Sequence, residues 1–511
     1  MGSPSVTIVG GGLSGLSAAF HLSRRFPASS GASITLIEKS NRLGGWVQSE
    51  RARVKDRYGR QADVLLESGP RTLRPASKAI LELIHLLNLT TSILTVPRSA
   101  PAAKNRFLHI PGTRGLTKIP SSLPSVLVSP LAKILVPALL ADFRRRDGPV
   151  LNASQPDDES VDAFLTRHFG PEFAEVFGSA LIHGIYAADS RQLSIRSAFP
   201  AMCRLEENGK GSIVRGAISD ILSRGETSEG PTYDLGNVGQ LMKGVSVYSF
   251  RDGMQTLTDA MARHLKQQEH VAIVQGDGAS ALAKTASGDG FQTGIPGQYR
   301  TESLSGTSGQ STSSPDASIP SPLPPLPHLL ANASSSVTVV NLVFPPSDTP
   351  IHPDGFGYLI PRPRQGYPLP PGSTLGMLGT VFDSSALGGQ DISICADHRS
   401  PKFTKVTVML GGPYGPPSPS PESPDFLPTL LSTLQEHLGH DQPLPEPRLV
   451  RIREHRDCIP TLTVGHVERM GELRAAVKEK WGENAVVIGA SVGGVSVGDC
   501  IESGRRAALE L

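Results

Sequence analysis

Three glycines near the N-terminus have the spacing of a phosphate-binding turn. Gly10, Gly12 and Gly15 follow the apolar run 6–9 and open a segment with helical periodicity. In such a strand, turn and helix, the first glycine permits the turn, the second lets the backbone approach a pyrophosphate, and the third allows close packing. The pyrophosphate then lies at the helix N-terminus, where unpaired N–H groups favour negative charge. Since Glu38 ends the next apolar run, where an acid binds ribose hydroxyls, the pattern predicts a dinucleotide cofactor.

A glycine pair follows this acid. Arg42 precedes Gly44 and Gly45, and the Arg-x-Gly-Gly pattern is consistent with a second backbone approach to the same pyrophosphate. A nicotinamide-binding Rossmann domain is the alternative, but it needs no Arg-x-Gly-Gly sequence, and we rank it second. The pattern resembles the FAD-binding flavoprotein family that includes amine oxidases, phytoene desaturases and protoporphyrinogen oxidases. This resemblance implies that the cofactor is FAD.

Periodicity predicts the elements that position these residues. Residues 6–9 and 33–37 are apolar runs typical of buried strands, and residues 13–26 repeat apolar positions at helical spacing. Near the C-terminus, residues 485–490 predict another buried strand, and a helix over 499–509 follows it after Gly493 and Gly494. A glycine turn before a final helix is how a Rossmann-type flavoprotein brings a second backbone segment to the flavin. We therefore expect a discontinuous cofactor domain.

Residues 120–141 form the longest apolar stretch. Four prolines and Lys133 within it exclude an ordinary membrane-spanning helix. Apolar residues between positions 127 and 135 (Leu127, Leu131, Ile134, Leu135) share a helical face, and arginines at 144–146 lie beside it, as in segments that lie in a membrane interface. A buried core helix followed by a solvated charge run explains the same residues equally well.

Composition divides the second half of the chain. Residues 284–336 are rich in Gly, Ser, Thr and Pro without a hydrophobic period, which predicts a mostly disordered insert. Residues 412–424 predict a shorter Pro/Ser-rich surface loop. Short β segments suggest a sheet-based second domain, at 337–344, 355–360, 376–381 and 405–410.

Length and charge limit the function classes. A chain of 511 residues exceeds one compact core, so two or three domains are expected. A net charge of +2, from 49 basic and 47 acidic residues, gives no global attraction to nucleic acid, and we expect no nucleic-acid partner. The four cysteines form no C-x-x-C pair and no metal-ligand spacing is present, so we expect neither a disulfide framework nor a metal site. Because the first apolar run begins at Val6, we expect no secretory or transit signal.

Eight short motifs in order along the chain carry a more specific resemblance. They are at 42–46, 67–71, 105–108, 193–197, 355–357, 406–412, 458–460 and 499–504. Together they resemble the protoporphyrinogen oxidase family of the eukaryotic, oxygen-dependent kind. That family uses FAD and dioxygen in haem biosynthesis to oxidise protoporphyrinogen IX to protoporphyrin IX, removing six electrons and producing hydrogen peroxide. The resemblance implies the same reaction here.

The resemblance also implies a substrate site. A tetrapyrrole offers a wide apolar ring system and two propionates on one edge, so its pocket needs apolar walls and a cation. Arg106 matches the family's propionate-binding arginine, whose guanidinium can clamp a carboxylate with two parallel hydrogen bonds. The flavin takes hydride and the pyrrole N–H groups release protons, so no catalytic side chain is assigned. The other matched pocket positions are Leu181, Gly184, Phe356, Leu359 and Met409, of which Phe356 and Leu359 sandwich the rings.

The resemblance also implies which residues surround the cofactor. Seven positions of the N-terminal part and three near the C-terminus match those that surround FAD in the family. They are Gly10, Gly12, Gly15, Glu38, Arg42, Gly45 and Trp46, with Gly489, Val495 and Val497 at the other end.

The fold class implied is α/β plus α+β: a discontinuous Rossmann-type FAD-binding domain, a sheet-based substrate domain and a helical membrane-associating domain. The resemblance favours the interfacial interpretation of the apolar stretch, and it implies a monotopic protein on the intermembrane-space side of the mitochondrial inner membrane. The next haem-synthesis enzyme is a natural partner. The predicted ranges are 1–90, 245–283 and 480–511 for the FAD-binding domain, 91–210 for the helical domain, 284–336 for the insert and 337–479 for the substrate domain.

One element of the family pattern is missing. Flavoproteins of this class usually carry a returning strand of the form Asp-x-Val-Ile-x-Ala after the middle of the chain, and residues 284–336 contain none. A non-catalytic porphyrin- or membrane-binding relic with a defective FAD domain therefore stays an alternative. Within enzymes, oxidation of coproporphyrinogen III is the nearest alternative, but its extra propionates favour a more cationic pocket than one with Arg106 alone.

Overall fold

The computed structural model describes residues 4–145, 158–222, 232–279, 281–284, 291–295, 298–301, 325–367, 375–393 and 402–511. The strands are β1 Ser5–Val9, β2 Ser33–Glu38, β3 Ser49–Lys55, β4 Gln61–Glu67, β5 Ile93–Pro97, β6 Phe107–Leu108, β7 Thr117–Lys118, β8 Val245–Phe250, β9 Val271–Gln275, β10 Ala281–Lys284, β11 Phe291–Ile295, β12 Gln298–Thr301, β13 Ser334–Phe344, β14 Gly357–Leu359, β15 Met377–Val381, β16 Ile392–Ser393, β17 Thr404–Gly411 and β18 Leu449–Pro460.

The helices alternate with these strands and cluster in the first half of the chain. They are α1 Leu13–Arg25, α2 Lys78–Leu86, α3 Pro101–Lys104, α4 Leu123–Leu127, α5 Ala132–Arg144, α6 Val161–Phe169, α7 Pro171–Phe173, α8 Ser179–Tyr186, α9 Ile195–Ala198, α10 Pro200–Asn208, α11 Ile213–Leu222, α12 Val238–Leu241, α13 Gln255–Lys266, α14 Asp383–Leu387, α15 Phe426–Leu438, α16 His466–Lys480, α17 Ala490–Gly493 and α18 Val497–Glu510.

A small parallel sheet holds the N-terminal glycine turn. β1 pairs with β2 and β2 pairs with β9, so the strand order is β1-β2-β9. Gly15, in the first turn of α1, packs directly on the end of β1: a Cβ there would lie 1.9 Å from the carbonyl oxygen of Gly10. The strand, turn and helix predicted for residues 6–26 are therefore formed.

The C-terminal helix completes this part of the core. α18 packs on α1, where the Ser17 hydroxyl donates to the Ile501 carbonyl at 2.7 Å. A Cβ on Gly504 would lie 2.3 Å from the carbonyl oxygen of Ser14. The buried Glu82 carboxylate on α2 accepts from Arg505 at 2.5 Å and ties the same helix to its other neighbour. Elements from both ends of the chain and from the β9 region thus form one unit.

The predicted strand over residues 485–490 is not formed. The segment from Ala485 to Gly489 has no strand pairing, and its residues are only partly buried or, as at Val486, exposed. Ala485 and Val487 pack instead against Met470 and Leu473 of α16. In the part of the chain that the structure describes, β1 is an edge strand of a three-stranded sheet, so no neighbour carries the ladder to the C-terminal segment.

A seven-stranded mixed sheet forms the second core, in the order β18-β13-β17-β15-β14-β6-β7. It contains the four β segments predicted between residues 337 and 410. One face packs on α15 around the buried Phe344, Tyr358 and Phe426. The opposite face carries Met409 and Val339 and packs towards Ala187, at the C-terminal end of α8.

The range 91–210, predicted as a helical domain, is not purely helical. β5 pairs with β8 beside the cofactor sheet, and β6 and β7 form the edge of the seven-stranded sheet. The helical layer also extends beyond residue 210, because α11 packs on α5 and α10. Phe107 and Leu108 are sheet because they pair with Tyr358 and Leu359 of β14, about 250 residues away in the sequence, and local periodicity does not reveal such a partner.

Asp142 of α5 holds this helical layer together. Its buried carboxylate accepts from His168 Nδ1 at 2.5 Å, from the Ser212 hydroxyl at 2.9 Å and from the Val214 N–H at 2.8 Å. The other His168 nitrogen lies 3.2 Å from Glu206, so two carboxylates outweigh burial and raise the pKa of His168. These bonds fix α5 to α6, α10 and the start of α11.

The predicted apolar face of residues 127–135 faces mostly inwards. Leu131 is 1% exposed, and Ile134 and Leu135 pack with Leu108 and Val176, as the core-helix alternative expects. Leu127 is exposed. Among the cations beyond α5, Arg145 donates to the Arg167 carbonyl, and residue 146 lies outside the described residues. No helix in the described ranges is both long and apolar enough to cross a bilayer.

The prediction of a mostly disordered insert over 284–336 is wrong where the structure describes it. β10, β11 and β12 form a three-stranded antiparallel sheet, and β13 begins at Ser334. Phe291, Thr293 and Ile295 alternate with smaller or polar residues, a period of two that the surrounding Gly/Ser-rich composition obscured. Residues 285–290, 296–297 and 302–324 lie outside the described residues.

We expect Gly504→Ala to destabilise the protein by about 2–3 kcal/mol, because the added methyl group meets the backbone of α1. Gly471→Ala is the matched control: no atom lies within 4 Å of its new Cβ in α16, and alanine favours the helix by about 0.5–1 kcal/mol. Denaturant unfolding measures both changes. Equal stability of the two variants would contradict the close packing of α1 on α18.

Candidate active site

Gly10 and Gly12 line an open backbone cradle at the N-terminus of α1. Gly10 has a φ of 102°, which only glycine adopts readily, and its N–H donates to the Ile37 carbonyl at 2.8 Å. Gly12 is the N-cap residue of α1, and no atom lies within 4 Å of where its Cβ would be. The space above these glycines is therefore free for a phosphate group at the positive end of the helix.

Glu38 closes one side of the cradle. Its carboxylate accepts from the Gly11 N–H at 2.7 Å, and from the Ser40 N–H at 2.8 Å and hydroxyl at 2.7 Å. Burial opposes ionisation, but these hydrogen bonds outweigh it and lower the pKa of Glu38 below its usual value. The group is an anionic acceptor at neutral pH, as binding to ribose hydroxyls requires.

The loop of residues 42–47 lies against the same turn. Gly44 donates to the Gly11 carbonyl at 2.8 Å, and a Cβ on Gly45 would lie 3.4 Å from the Cα of Gly12. The Arg42 guanidinium donates to the carbonyls of Leu43 at 3.1 Å, of Val47 at 3.0 Å and of Gly45. Arg42 thus holds the shape of the loop.

The other predicted cofactor residues lie at the edges of this site. Trp46 is 47% exposed, and its ring meets His455 of β18 edge-on at 5.2 Å. Val497 begins α18 and packs on the core of the cofactor sheet, whereas Val495 packs on the helical layer. Gly489 has a φ of 131° and nothing within 4 Å of its missing Cβ. The roles of these residues stay predictions.

These residues fit a dinucleotide. Two glycines leave an open cradle, backbone N–H groups point from a helix N-terminus, and an ionised acid lies beside them. Gly44 and Gly45 provide a second stretch of backbone without side chains beside this turn. Gly11, which sequence reasoning left out, has no room for a side chain: a Cβ would lie 2.5 Å from Leu43.

On the seven-stranded sheet, Leu359 and Met409 flank a glycine. Leu359 of β14 is directly opposite Gly379 of β15, and Gly379 is directly opposite Met409 of β17. Side chains of directly opposed residues lie on the same face of an antiparallel sheet. The pair therefore forms an apolar floor, and the Leu359 side chain fills the space beside Gly379, where a Cβ would lie 2.9 Å from it.

Helix α8 forms a wall above this floor. A Cβ on Gly184 would lie 2.6 Å from the Leu359 side chain, so the helix comes as close as its glycine allows. Leu181 and Ile185 lie on the same helical face and are each 43% exposed. The structure thus brings together the predicted residues Gly184, Leu359 and Met409, with Leu181 at the margin.

His183 anchors α8, and sequence reasoning did not find it. Its Nδ1 lies 2.7 Å from the Ile360 carbonyl and its Nε2 contacts the Tyr367 hydroxyl. Burial lowers the pKa of His183 to about 4, so the ring is neutral: Nδ1–H donates to the carbonyl and Nε2 accepts. His183 therefore links α8 to the sheet by hydrogen bonds. The residues near it in the sequence carry no pattern that would predict this role.

Arg106 and Phe356 lie at the edge of the floor. The guanidinium carbon of Arg106 is 5.9 Å from the centre of the Phe356 ring, and Arg106 is exposed. Phe356 packs on Ala102 and Val247, and Asn105 accepts from its N–H at 2.9 Å. The cation is therefore placed beside an apolar surface, as a carboxylate on an apolar ligand requires.

Hydrogen bonds between β4 and the seven-stranded sheet, which we call the polar seam, join the cofactor site to the sheet site. The Ser68 carbonyl, just after β4, lies 2.8 Å from His455 Nε2 on β18, and the Glu67 carbonyl accepts from Asn341 on β13 at 3.3 Å. β13 is the neighbour of β17, which carries Met409.

Within the described ranges, no group of three or more His, Cys, Asp or Glu residues is arranged to hold a metal ion.

Comparison with a family model assigns most of the chain. Residues 13–511 match the model for flavin-containing amine oxidoreductases. The chain is 32% identical over 544 residues to protoporphyrinogen oxidase of Schizosaccharomyces pombe, covering 99% of this chain and 98% of the relative. It is also 32% identical over 526 residues to protoporphyrinogen oxidase of Homo sapiens, with the same coverage.

Solved structures share the fold. A crystal structure of a candidate protoporphyrinogen oxidase from Exiguobacterium sp. 255-15 matches with a TM-score of 0.69 at 20% identity, covering 100% of this chain and 98% of that one. Reduced UDP-galactopyranose mutase matches with a TM-score of 0.59 at 13% identity, covering 99% and 93%. The mixed α/β fold is therefore that of a flavoprotein oxidoreductase.

Gly12→Ala should reduce dinucleotide affinity by roughly tenfold or more without lowering the stability of the cofactor-free protein, because its methyl group enters only the open cradle. Gly15→Ala is the contrasting variant: its methyl group meets the Gly10 carbonyl and should lower stability as well. Titration of flavin-stripped protein and its thermal unfolding separate the two effects. Unchanged affinity in Gly12→Ala would show that the dinucleotide does not approach this turn.

Proposed function

Since the chain belongs to the flavin-containing amine oxidoreductase family and, within it, to the protoporphyrinogen oxidases, we propose that the floor and wall around Leu359 bind the substrate ring system. The protein is an FAD-dependent oxidoreductase of haem biosynthesis that converts protoporphyrinogen IX to protoporphyrin IX with dioxygen. The apolar row Leu359, Gly379 and Met409, with a guanidinium at its edge, supports this assignment best.

The residues of the chain contribute binding and orientation. Leu359 and Met409 offer apolar contact to the rings, and Gly379 between them leaves room for the Leu359 side chain. Arg106 orients the ring system by its carboxylate edge. Bound FAD supplies the hydride acceptor. His183 is neutral and its Nδ1–H is engaged by a carbonyl, so it keeps the wall in place rather than moving a proton.

The cofactor is held by the cradle. Gly10 and Gly12 would lie against the pyrophosphate, Glu38 would bind the ribose, and the loop at 42–47 would cover the second side. This arrangement uses only β1, β2, α1 and the loop, and it is intact although the parallel sheet has three strands in the described residues. The non-catalytic relic is therefore not favoured.

Coproporphyrinogen III oxidation is not favoured either. A curated relative with that name, from Bacillus subtilis, is 25% identical over 511 residues, below the 32% of the protoporphyrinogen oxidases of Schizosaccharomyces pombe and Homo sapiens. The floor around Leu359 and Met409 is apolar, which suits a substrate with few carboxylates.

The helical layer is proposed to associate with a membrane surface. α5 and α11 leave Leu139, Leu140 and Phe143 at 36–47% exposure, with Ile218 and Leu222 opposite them. A groove of about 480 Å³ separates the helices, lined by Phe143, Arg215, Ile218, Ser219 and Leu222. Exposed apolar side chains beside arginines favour the interface of a bilayer.

Location and partner are proposals of the same kind. The motifs resemble the eukaryotic enzymes, which supports a monotopic protein on the intermembrane-space side of the mitochondrial inner membrane. A poorly soluble product supports direct transfer to the next enzyme of haem synthesis.

Arg106→Ala should raise the Michaelis constant for protoporphyrinogen IX about tenfold and leave the FAD content unchanged, since the loss is one charged clamp at the edge of the floor. Arg263→Ala, an exposed arginine on α13, is the control. Steady-state rates and flavin absorbance measure the effect. Equal Michaelis constants for the Arg106 variant and the unmodified protein would refute the propionate assignment.

Replacing Leu139 and Phe143 together by glutamate should weaken binding to phospholipid vesicles at least about tenfold, because two exposed apolar side chains become charged. Activity in detergent should not change. Leu509→Glu, at a residue 58% exposed on α18, is the control. If the double variant sediments with vesicles as well as the control does, this face is not the membrane contact.

A further inference from the structure

We propose that Arg74 joins Arg106 in a two-guanidinium site that binds both carboxylates on one edge of the substrate. The inference rests on the proposed function and deepens it, because it assigns a second specificity residue. It also revises the expectation that Arg106 is the sole cation of the pocket. The ligand class is a porphyrinogen that carries two carboxylates side by side.

The backbone of Arg74 is held rigidly at this place. The preceding residue, Leu73, exchanges two hydrogen bonds with Tyr248 of β8, at 2.7 and 2.9 Å. Arg71, three residues earlier, is buried and lies 3.6 Å from Asp383 at the start of α14. The segment 71–74 is therefore fixed against both β8 and α14.

Arg106 reaches the same two elements through Phe356. Its guanidinium lies over Phe356, and Phe356 packs on the apolar cluster that includes Val247 of β8 and Leu387 of α14.

Strand pairing places Arg74 on the side of this cluster. Leu73 lies directly opposite Tyr248, and both belong to the core of the parallel sheet. Because successive residues of a strand point to opposite faces, the next residues, Arg74 and Val247, lie on the other face, where Phe356 packs.

The charges of the two arginines act on each other. Burial, and then the charge of Arg74, lower the pKa of Arg106. Arg74 is exposed and Arg106 keeps part of its side chain in solvent, and within the described part of the chain neither has a carboxylate within ion-pair distance. Two like charges without a counter-ion repel each other, and this repulsion is relieved when two carboxylates bind. Such a pair selects a dianionic edge over a monoanionic or neutral one.

The test compares protoporphyrinogen IX with its dimethyl ester, which has the same rings and no charge. Arg74→Ala should raise the Michaelis constant for the diacid about tenfold and leave kcat within about twofold, because the pair acts in binding. The same variant should leave the Michaelis constant for the dimethyl ester unchanged. Arg74→Lys should recover part of the loss, since it keeps the charge but not the bidentate geometry.

Controls separate the possible failures. Flavin absorbance and thermal unfolding of Arg74→Ala and Arg74→Gln establish that the variants are folded, and Arg263→Ala reports the effect of losing an unrelated exposed charge. If the unmodified protein oxidises the diacid and Arg74→Ala has the same Michaelis constant, the two-guanidinium site is wrong and the proposed function stands. If the unmodified protein with bound FAD oxidises neither compound, both are wrong. An equal loss on diacid and diester would also overturn the proposal, because it would show that Arg74 supports the fold and not the charge.

Discussion

The close backbone approach between Gly10 and Gly15 is the constraint on which the rest of the site depends. The Gly10 carbonyl occupies the space where any other residue at position 15 would place its Cβ, so α1 begins directly on the end of β1. With that helix start fixed, the Gly11 N–H meets Glu38 and the Gly11 carbonyl meets Gly44. The cradle therefore follows from the contact between Gly10 and Gly15. Its two walls, Glu38 and the loop at Gly44, are held in place by hydrogen bonds to Gly11.

A second constraint joins this cradle to the sheet. Asn341 of β13 donates to the Thr407 hydroxyl at 2.7 Å, and Thr407 donates to Asp383 at 2.5 Å. Glu67, whose pKa is raised by burial, accepts from the Met254 N–H and the Ser49 hydroxyl in the same region. Buried polar groups are costly unless they are paired, and a paired network permits few alternative arrangements. The seam thus sets the orientation of the substrate floor relative to the cofactor turn.

Local chemistry made much of this predictable. The glycine spacing, the acid at position 38 and the helical period after Leu13 each depend on neighbours in the sequence, and each appears in the structure as expected. The strand predicted at residues 485–490 is not formed. A strand needs a neighbouring strand to pair with, and the local sequence pattern does not reveal whether one is present. His183 was missed for a similar reason, because its hydrogen-bond partners, Ile360 and Tyr367, are almost two hundred residues away in the sequence. The predicted residues Gly184, Leu359 and Met409 could be named by resemblance, but only the strand register shows that a glycine separates two of them.

The packing of α18 on α1 has a consequence for how the protein is made. Ser17 and Ile501, which share a hydrogen bond, are separated by 484 residues, nearly the whole chain. Contacts between such distant residues form late, and this one cannot form before α18 has been synthesised and has left the ribosome. One face of α1 therefore stays uncovered while the residues between the two helices are being made. During that time this apolar face is a natural binding site for a chaperone, and the cofactor unit is completed only when α18 packs on it.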